Sequence, residues 1–185
     1  MKSGERFVNH LVSHCEVLSA KDISQTMWAI GRLQIIDDSI ISPLAYKAAE
    51  LSQREEFNSQ ELANIIWVLS KTGFKEEEIV SVLTTEICKP YVSDHATSQE
   101  AANVLYAFGR MHIRDEETFS CMNAVLMRQL DKSTTEAIAN ALWAHDSVNL
   151  QPPRLLFDSW AKEKLDIVGL YRYNGTNGIE IKDGG

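Results

Sequence analysis

Few of the usual markers of chemistry occur in this chain of 185 residues. Its 3 cysteines, Cys15, Cys88 and Cys121, are odd in number and far apart along the chain, which excludes a disulfide framework or paired-cysteine metal clip and fits a reducing compartment. Glycine (9) and proline (4) are scarce, and with 44% hydrophobic and 24% charged residues the composition is that of one globular domain able to bury a real core. No apolar run approaches the roughly 18 residues that span a bilayer, so membrane insertion is not expected. The start lacks a signal-peptide apolar core, and Glu5 and Glu16 fall where a transit peptide would be poor in acids. A chain acting inside an organelle would therefore be a mature form, a fragment or a product of the organelle's own genome. Positive charge is also in deficit: 18 basic against 26 acidic residues leave −8, so any anion binding must be local. There is no Gly-rich phosphate loop, no GxSxG and no credible triad. No catalytic residue, metal or cofactor is expected.

What the chain does have is internal repetition. Four segments align on an aromatic residue, Trp28, Trp67, Tyr106 and Trp143, at spacings of 39, 39 and 37 residues, a length that holds two helices. Nine positions before the aromatic stand Ser19, Asn58, Thr97 and Thr134, all N-cap formers, followed three later by Asp22, Glu61, Glu100 and Ala137. An A helix therefore begins at the same place in each repeat. Its core stripe lies five before, one before and two after the aromatic: Ile23/Met27/Ile30, Leu62/Ile66/Leu69, Ala101/Leu105/Phe108 and Ile138/Leu142/His145. Four before and three after it the residues are small (Ser24/Gly31, Ala63/Ser70, Ala102/Gly109, Ala139), with Asp146 the exception, which lets neighbouring helices approach beside the ring.

A second apolar pattern follows each A helix and predicts a B helix: Ile40/Ile41/Leu44/Ala48/Leu51, Ile79/Val80/Leu83/Ile87, Phe119/Met122/Leu126 and Leu155/Leu156/Trp160. Ser42-Pro43 is expected to open the first and Gln151-Pro152-Pro153 the last, because Pro is tolerated at the first helical position. Phe7, Leu11 and Leu18 fit a lone capping helix within residues 1–18. The repeat domain is read as 19–165, with repeats at 19–57, 58–96, 97–133 and 134–165. Residues 166–185 hold five of the nine glycines and read as an irregular tail or a short β-hairpin, Tyr171–Tyr173 against Ile179–Lys182 around the Gly-rich turn Asn174–Gly178. The expected fold is all-α: a right-handed α-solenoid of about four two-helix repeats.

Three before, one after and four after the aromatic, one stripe of helix A away from the core carries an amide, a small residue and a base: Gln25/Ala29/Arg32, Asn64/Val68/Lys71 and Asn103/Ala107/Arg110. The fourth repeat has Asn140/Ala144/Ser147. Stacked, these make a ladder of amides suited to base edges or 2′-hydroxyls and a ladder of cations suited to phosphates. Both have an ordinary reading too. Bases at helix C-termini complement the macrodipole, and the Asn column can hold an inter-helix turn by side-chain to backbone bonds. The four aromatics are expected to be packing anchors rather than base-stacking platforms. His10 and His14 stand at i, i+4 beside Cys15, a spacing that can grip zinc, but a helix-surface or cap contact is the preferred reading. Glu76-Glu77-Glu78 and Asp115-Glu116-Glu117 read as solvated first turns of B helices.

The run Ser59-Gln60-Glu61-Leu62-Ala63-Asn64-Ile65-Ile66-Trp67-Val68-Leu69-Ser70-Lys71-Thr72-Gly73 is similar to the signature of octotricopeptide-type repeats and to the related repeats of organellar RAP-domain and FAST-kinase-like proteins. The resemblance covers residues 19–165. It implies an α-solenoid acting on RNA in a mitochondrion or chloroplast. The expected function is a non-catalytic repeat protein of an organelle, the mitochondrion before the chloroplast, that holds single-stranded or ribosomal RNA on its A-helix face within a ribosome-like or other ribonucleoprotein assembly. The alternative is a structural scaffold, an accessory subunit of an organellar ribosomal, respiratory or photosynthetic complex whose ladder binds protein. The RNA- or peptide-binding candidates are Gln25, Arg32, Asn64, Lys71, Asn103, Arg110 and Asn140.

Overall fold

A computed structural model describes the backbone of residues 10, 13–74, 76–168, 171–174 and 178–181, with side chains as far as Lys162. The helices are α1 (Ala20–Leu33), α2 (Asp38–Ser52), α3 (Ser59–Thr72), α4 (Glu77–Ile87), the short α5 (Pro90–Ser93), α6 (Ser98–Met111), α7 (Glu116–Arg128), α8 (Thr135–Ser147) and α9 (Arg154–Val168). The described part of the repeat region is all-helical. The N-terminal capping helix falls largely outside the described residues, and so does the turn of the tail hairpin, residues 175–177.

Each A helix starts where its cap chemistry dictates. Ser19, Asn58 and Thr97 accept from the backbone N–H of Asp22, Glu61 and Glu100, whose carboxylates accept in return from the cap N–H. Thr134 accepts from Ala137 N–H, and with no acid at that place the reciprocal bond is missing. All four A helices also end alike. Ile35 donates to Ile30, Phe74 to Leu69, Ile113 to Phe108 and Leu150 to His145, each at 2.9–3.1 Å and each closing the last turn. The residue just before each donor, Gln34, Gly73, His112 or Asn149, is left-handed with φ of 53–74°. Glycine occupies that strained position in one repeat only.

The A helices α1, α3, α6 and α8 pack side by side in chain order, and each lies against the B helix that follows it. In the second layer α2 packs on α4, and the short α5 lies beside α7. The core stripe of the A helices is buried throughout, apart from half-buried Leu142, and the apolar B positions join it. Leu155 is the exception: it is 60% exposed while Leu156 beside it is buried. A second correction concerns Pro43. It does not open α2, which begins five residues earlier under an Asp37 cap whose carboxylate accepts from Ser39 N–H; Pro43 sits inside the helix. Burial of Ile40 and Ile41 within the first turns outweighs the single hydrogen bond that Pro43 cannot donate. At the other expected start, α9 begins directly after Pro153, whose carbonyl accepts from Leu156 and Phe157.

The column of small residues is where the next repeat's ring is seated. A Cβ on Gly31 would lie 2.9 Å from Val68 Cγ2 and 3.0 Å from the Trp67 ring; one on Gly109 would lie 2.9 Å from both Ala144 Cα and the Trp143 ring. The two tryptophans that follow a glycine seat use that space, and Tyr106, the smaller ring, follows Ser70. Tertiary packing also brings together two of the cysteines that stand far apart along the chain, both of them free. Cys88 and Cys121 meet between α4 and α7, the Cys121 thiol 3.9 Å from the Cys88 carbonyl, and their mutual hydrogen bond raises the Cys88 thiol while lowering that of Cys121.

At the core position held elsewhere by Ile30, Leu69 and Phe108, the fourth repeat has His145, 1% exposed. Its Nδ1 lies 2.8 Å from the Ala141 carbonyl, its Nε2 3.1 Å from Asn123 Nδ2, and its ring meets Phe119 edge-on at 4.9 Å. Burial pushes this imidazole below the ordinary histidine pKa, the Ala141 contact opposing it in part. The neutral form is therefore favoured by folding. Its contribution is present above the unfolded value of about 6.5 and is lost as the pH falls from there through the folded value. Thermal melts between pH 7.5 and 5 are expected to show a fall in Tm that a His145→Leu variant shows less of; parallel pH profiles would refute it.

Candidate nucleic-acid interface

The exposed side of the A-helix layer differs from the expected stripe by one column. The position after the aromatic is not on it: Val68, Ala107 and Ala144 are fully buried against the preceding A helix, and only Ala29, which follows no earlier repeat, is half-exposed. In its place stands the aromatic itself. Trp28 is 49% and Trp143 44% exposed, while Trp67 and Tyr106 are half-buried. At 100° per residue the aromatic lies at the edge of a stripe about 60° wide that holds the amide column, the base column and one seven positions before the aromatic, Lys21, Gln60, Gln99 and Glu136, all exposed. The solvent face of each A helix thus reads polar, amide, ring, base along its length. Helical periodicity shows which stripe points away from the core, but one flank of that stripe is the neighbouring helix and not solvent.

Of the candidate residues, Gln25, Arg32, Lys71 and Arg110 are exposed, and Asn64, Asn103 and Asn140 half-buried. The Arg32 guanidinium lies over Trp28 at 5.6 Å and the Lys71 ammonium over Trp67 at 5.4 Å, because an i, i+4 spacing stacks base on ring. Such contacts contribute about 0.5–1 kcal/mol at exposed sites and hold the cations upright on the layer instead of splayed. Tyr106 has the Trp143 ring at 4.9 Å in place of a cation. Lys71 and Arg110, 39 residues apart, line one groove of about 180 Å³ with Gly31, Gln34, Ile36 and Thr72. Arg110 also borders a larger groove of about 490 Å³ floored by Phe74, Val80 and Ile113. In the amide column, Gln99 Nε2 donates to Asn103 Oδ1 at 3.1 Å, so a residue of the missed column orients one of the amides.

The arrangement offers donors and acceptors from amides, flat apolar rings and fixed cations on one face. One acid, Glu136 of the fourth repeat, shares the face, while the acidic runs lie elsewhere: Glu76 stands at the N-cap position of α4 without a side-chain cap bond, with Glu77 and Glu78 in the first turn, and Asp115 caps α7 by accepting from Glu117 and Thr118. His10 and His14 stack at 4.4 Å, and His14 Nδ1 lies 2.9 Å from the His10 carbonyl, a local helix contact. Among the described residues no helix is long and apolar enough to cross a membrane, and no third donor joins these two histidines.

No curated protein matches the chain. A family model described as RNA-editing substrate-binding complex 6 protein, RESC6, matches residues 5–174, a span that takes in every A helix and every exposed column just described. The chain belongs to the RNA-editing substrate-binding complex 6 protein family.

Proposed function

We propose that the chain is a non-catalytic component of an RNA-editing substrate-binding complex, and that it holds single-stranded RNA along the exposed face of α1, α3, α6 and α8. The observation that carries this reading is the coincidence of amides, rings and cations on one face of stacked helices, with Arg32 and Lys71 set over Trp28 and Trp67 and Lys71 and Arg110 converging on one groove. Membership of the family brings RNA and protein partners into view and narrows a ribosome-like assembly to an editing complex. The repeats form a right-handed solenoid of the octotricopeptide kind in this reading, and the two extended segments of the tail, with Tyr171 opposite Ile181, close its C-terminal end. Location in an organelle, the mitochondrion before the chloroplast, is part of the same proposal.

Three cations on a single strand give a slope near −2 in log K against log salt, so affinity in isolation is modest and the wider complex supplies the rest. Ultraviolet cross-linking in the native complex tests the reading. RNA adducts are expected at Trp28, Trp67, Tyr106 or Trp143; adducts to protein alone on the A-helix face would overturn it in favour of a scaffold.

A further inference from the structure

The opposite side of the molecule holds a carboxylate that its own chain does not satisfy. Glu86, in the last turn of α4, is 3% exposed. Its Oε2 accepts from Lys89 Nζ at 2.8 Å, and that ammonium is also 3.8 Å from Glu55 Oε1. Among the described residues, Glu86 Oε1 has no hydrogen-bond partner. Two carboxylates thus share one ammonium, leaving the cluster one negative charge in excess, and one buried carboxylate oxygen lacks a donor. Removing a charged acceptor from water without replacing its hydrogen bond is unfavourable, so the site is incomplete as it stands.

A groove of about 240 Å³ opens at this carboxylate between the end of α2 and the flank of α4, lined by Gln53, Ser81, Val82, Thr85, Glu86 and Lys89. Its equipment matches one side-chain type. Val82 can pack a methylene stem; the Glu86 carboxylate faces the charged head; the Gln53 carbonyl and the Ser81 and Thr85 hydroxyls can accept from further N–H groups of that head. A divalent metal would need several more charged oxygen ligands than the single groove carboxylate of Glu86 supplies. A planar guanidinium has the several donors that these dispersed acceptors need. Nearby Glu55, Glu56, Glu76, Glu77 and Glu78 are all exposed and would draw in a basic segment while repelling RNA.

We infer that this groove is a capture site for an arginine side chain of a basic protein segment, placed on the B-helix side and independent of the RNA reading. The partner would thereby occupy one layer and leave the A-helix face free.

The experiment titrates the whole chain with tetra-arginine amide at low ionic strength, followed by calorimetry. Glu86→Gln, isosteric but uncharged, is expected to weaken binding about tenfold or more, whereas Glu56→Gln, an exposed acid beside the site, changes it less than about twofold. Thr85→Arg, an exposed position at the groove, tethers a guanidinium in the slot and should abolish binding even if Glu86→Gln proves unstable. Binding that survives both Glu86→Gln and Thr85→Arg, or that falls equally in Glu56→Gln, would overturn the assignment and leave only diffuse attraction to an acidic surface.

Discussion

Replacing Arg32, Lys71 and Arg110 together by alanine is expected to weaken single-stranded RNA binding about 100-fold at roughly 0.1 M monovalent salt and to flatten its salt dependence. On a single strand each neutralised phosphate contributes about 0.7 to the slope of log K against log salt, so three contacts account for about two decades at that concentration. Fold stability should change little, since all three side chains are exposed and their ring contacts contribute about 0.5–1 kcal/mol each. Filter binding at several salt concentrations checks it. An unchanged slope would mean that these cations only complement the helix C-termini, the plain reading of a basic residue in the last turn. Asparagine-to-alanine changes at 64, 103 and 140 should lower affinity with the slope intact, because amides contribute hydrogen bonds and no counterion release.

Gly109→Leu is expected to destabilise the protein by about 3 kcal/mol and Gly109→Ala by about 1–2 kcal/mol, even though either residue favours a helix over glycine by up to ~1 kcal/mol. The reason is the neighbour. A Cβ at this position meets the Ala144 Cα and the Trp143 ring, both at 2.9 Å, and a backbone atom yields only if the whole of α8 moves off α6. At Gly31 the close atoms belong to side chains, the Val68 Cγ2 methyl at 2.9 Å and the Trp67 ring at 3.0 Å, and since a buried helical valine is held in one χ1 rotamer, Gly31→Ala should cost about 1 kcal/mol, less than Gly109→Ala because no backbone atom has to move. Thermal melts should show Gly109→Leu lower in Tm by roughly 5–10 °C and Gly31→Ala lower by only about 2–4 °C. A stabilising Gly109→Ala would show that the α6–α8 seat is loose and that the ring column does not hold the repeats together.

Much of this was legible from spacing alone. The caps at Ser19, Asn58, Thr97 and Thr134 were readable because an N-cap is a local device: its partner lies three residues away, within the same turn. The core stripe was readable for a similar reason, since helical periodicity names the face that turns inward. The C-terminal turns were less so. Gly73 and Asn149 are residue types that announce a left-handed helix end, whereas Gln34 and His112 take up that conformation because the apolar residue after each is drawn against the core. Pro43 misled because proline preference at a first turn is weaker than the burial of Ile40 and Ile41 before it.

The candidate site divides along the same line. The amide and base columns could be listed from a four-row alignment, and all seven named residues lie along the exposed A-helix face. Periodicity measures angles around one helix and has no knowledge of the next. It therefore put Val68, Ala107 and Ala144 on the outward stripe, where the preceding A helix buries them, and it named the rings as packing anchors with no measure of how far Trp28 and Trp143 also stand in solvent. It had no means of bringing Cys88 beside Cys121 or of finding Glu86 Oε1 without a partner, since both depend on every element within reach. By itself the sequence determined where each A helix starts, which face turns to the core and which residue types recur on the outside, all consequences of bonds and contacts within a few residues. Which flank is covered, which ring is left to water and which charge is left unmatched were decided by the tertiary structure, because burial and charge pairing depend on residues some 30–40 positions away.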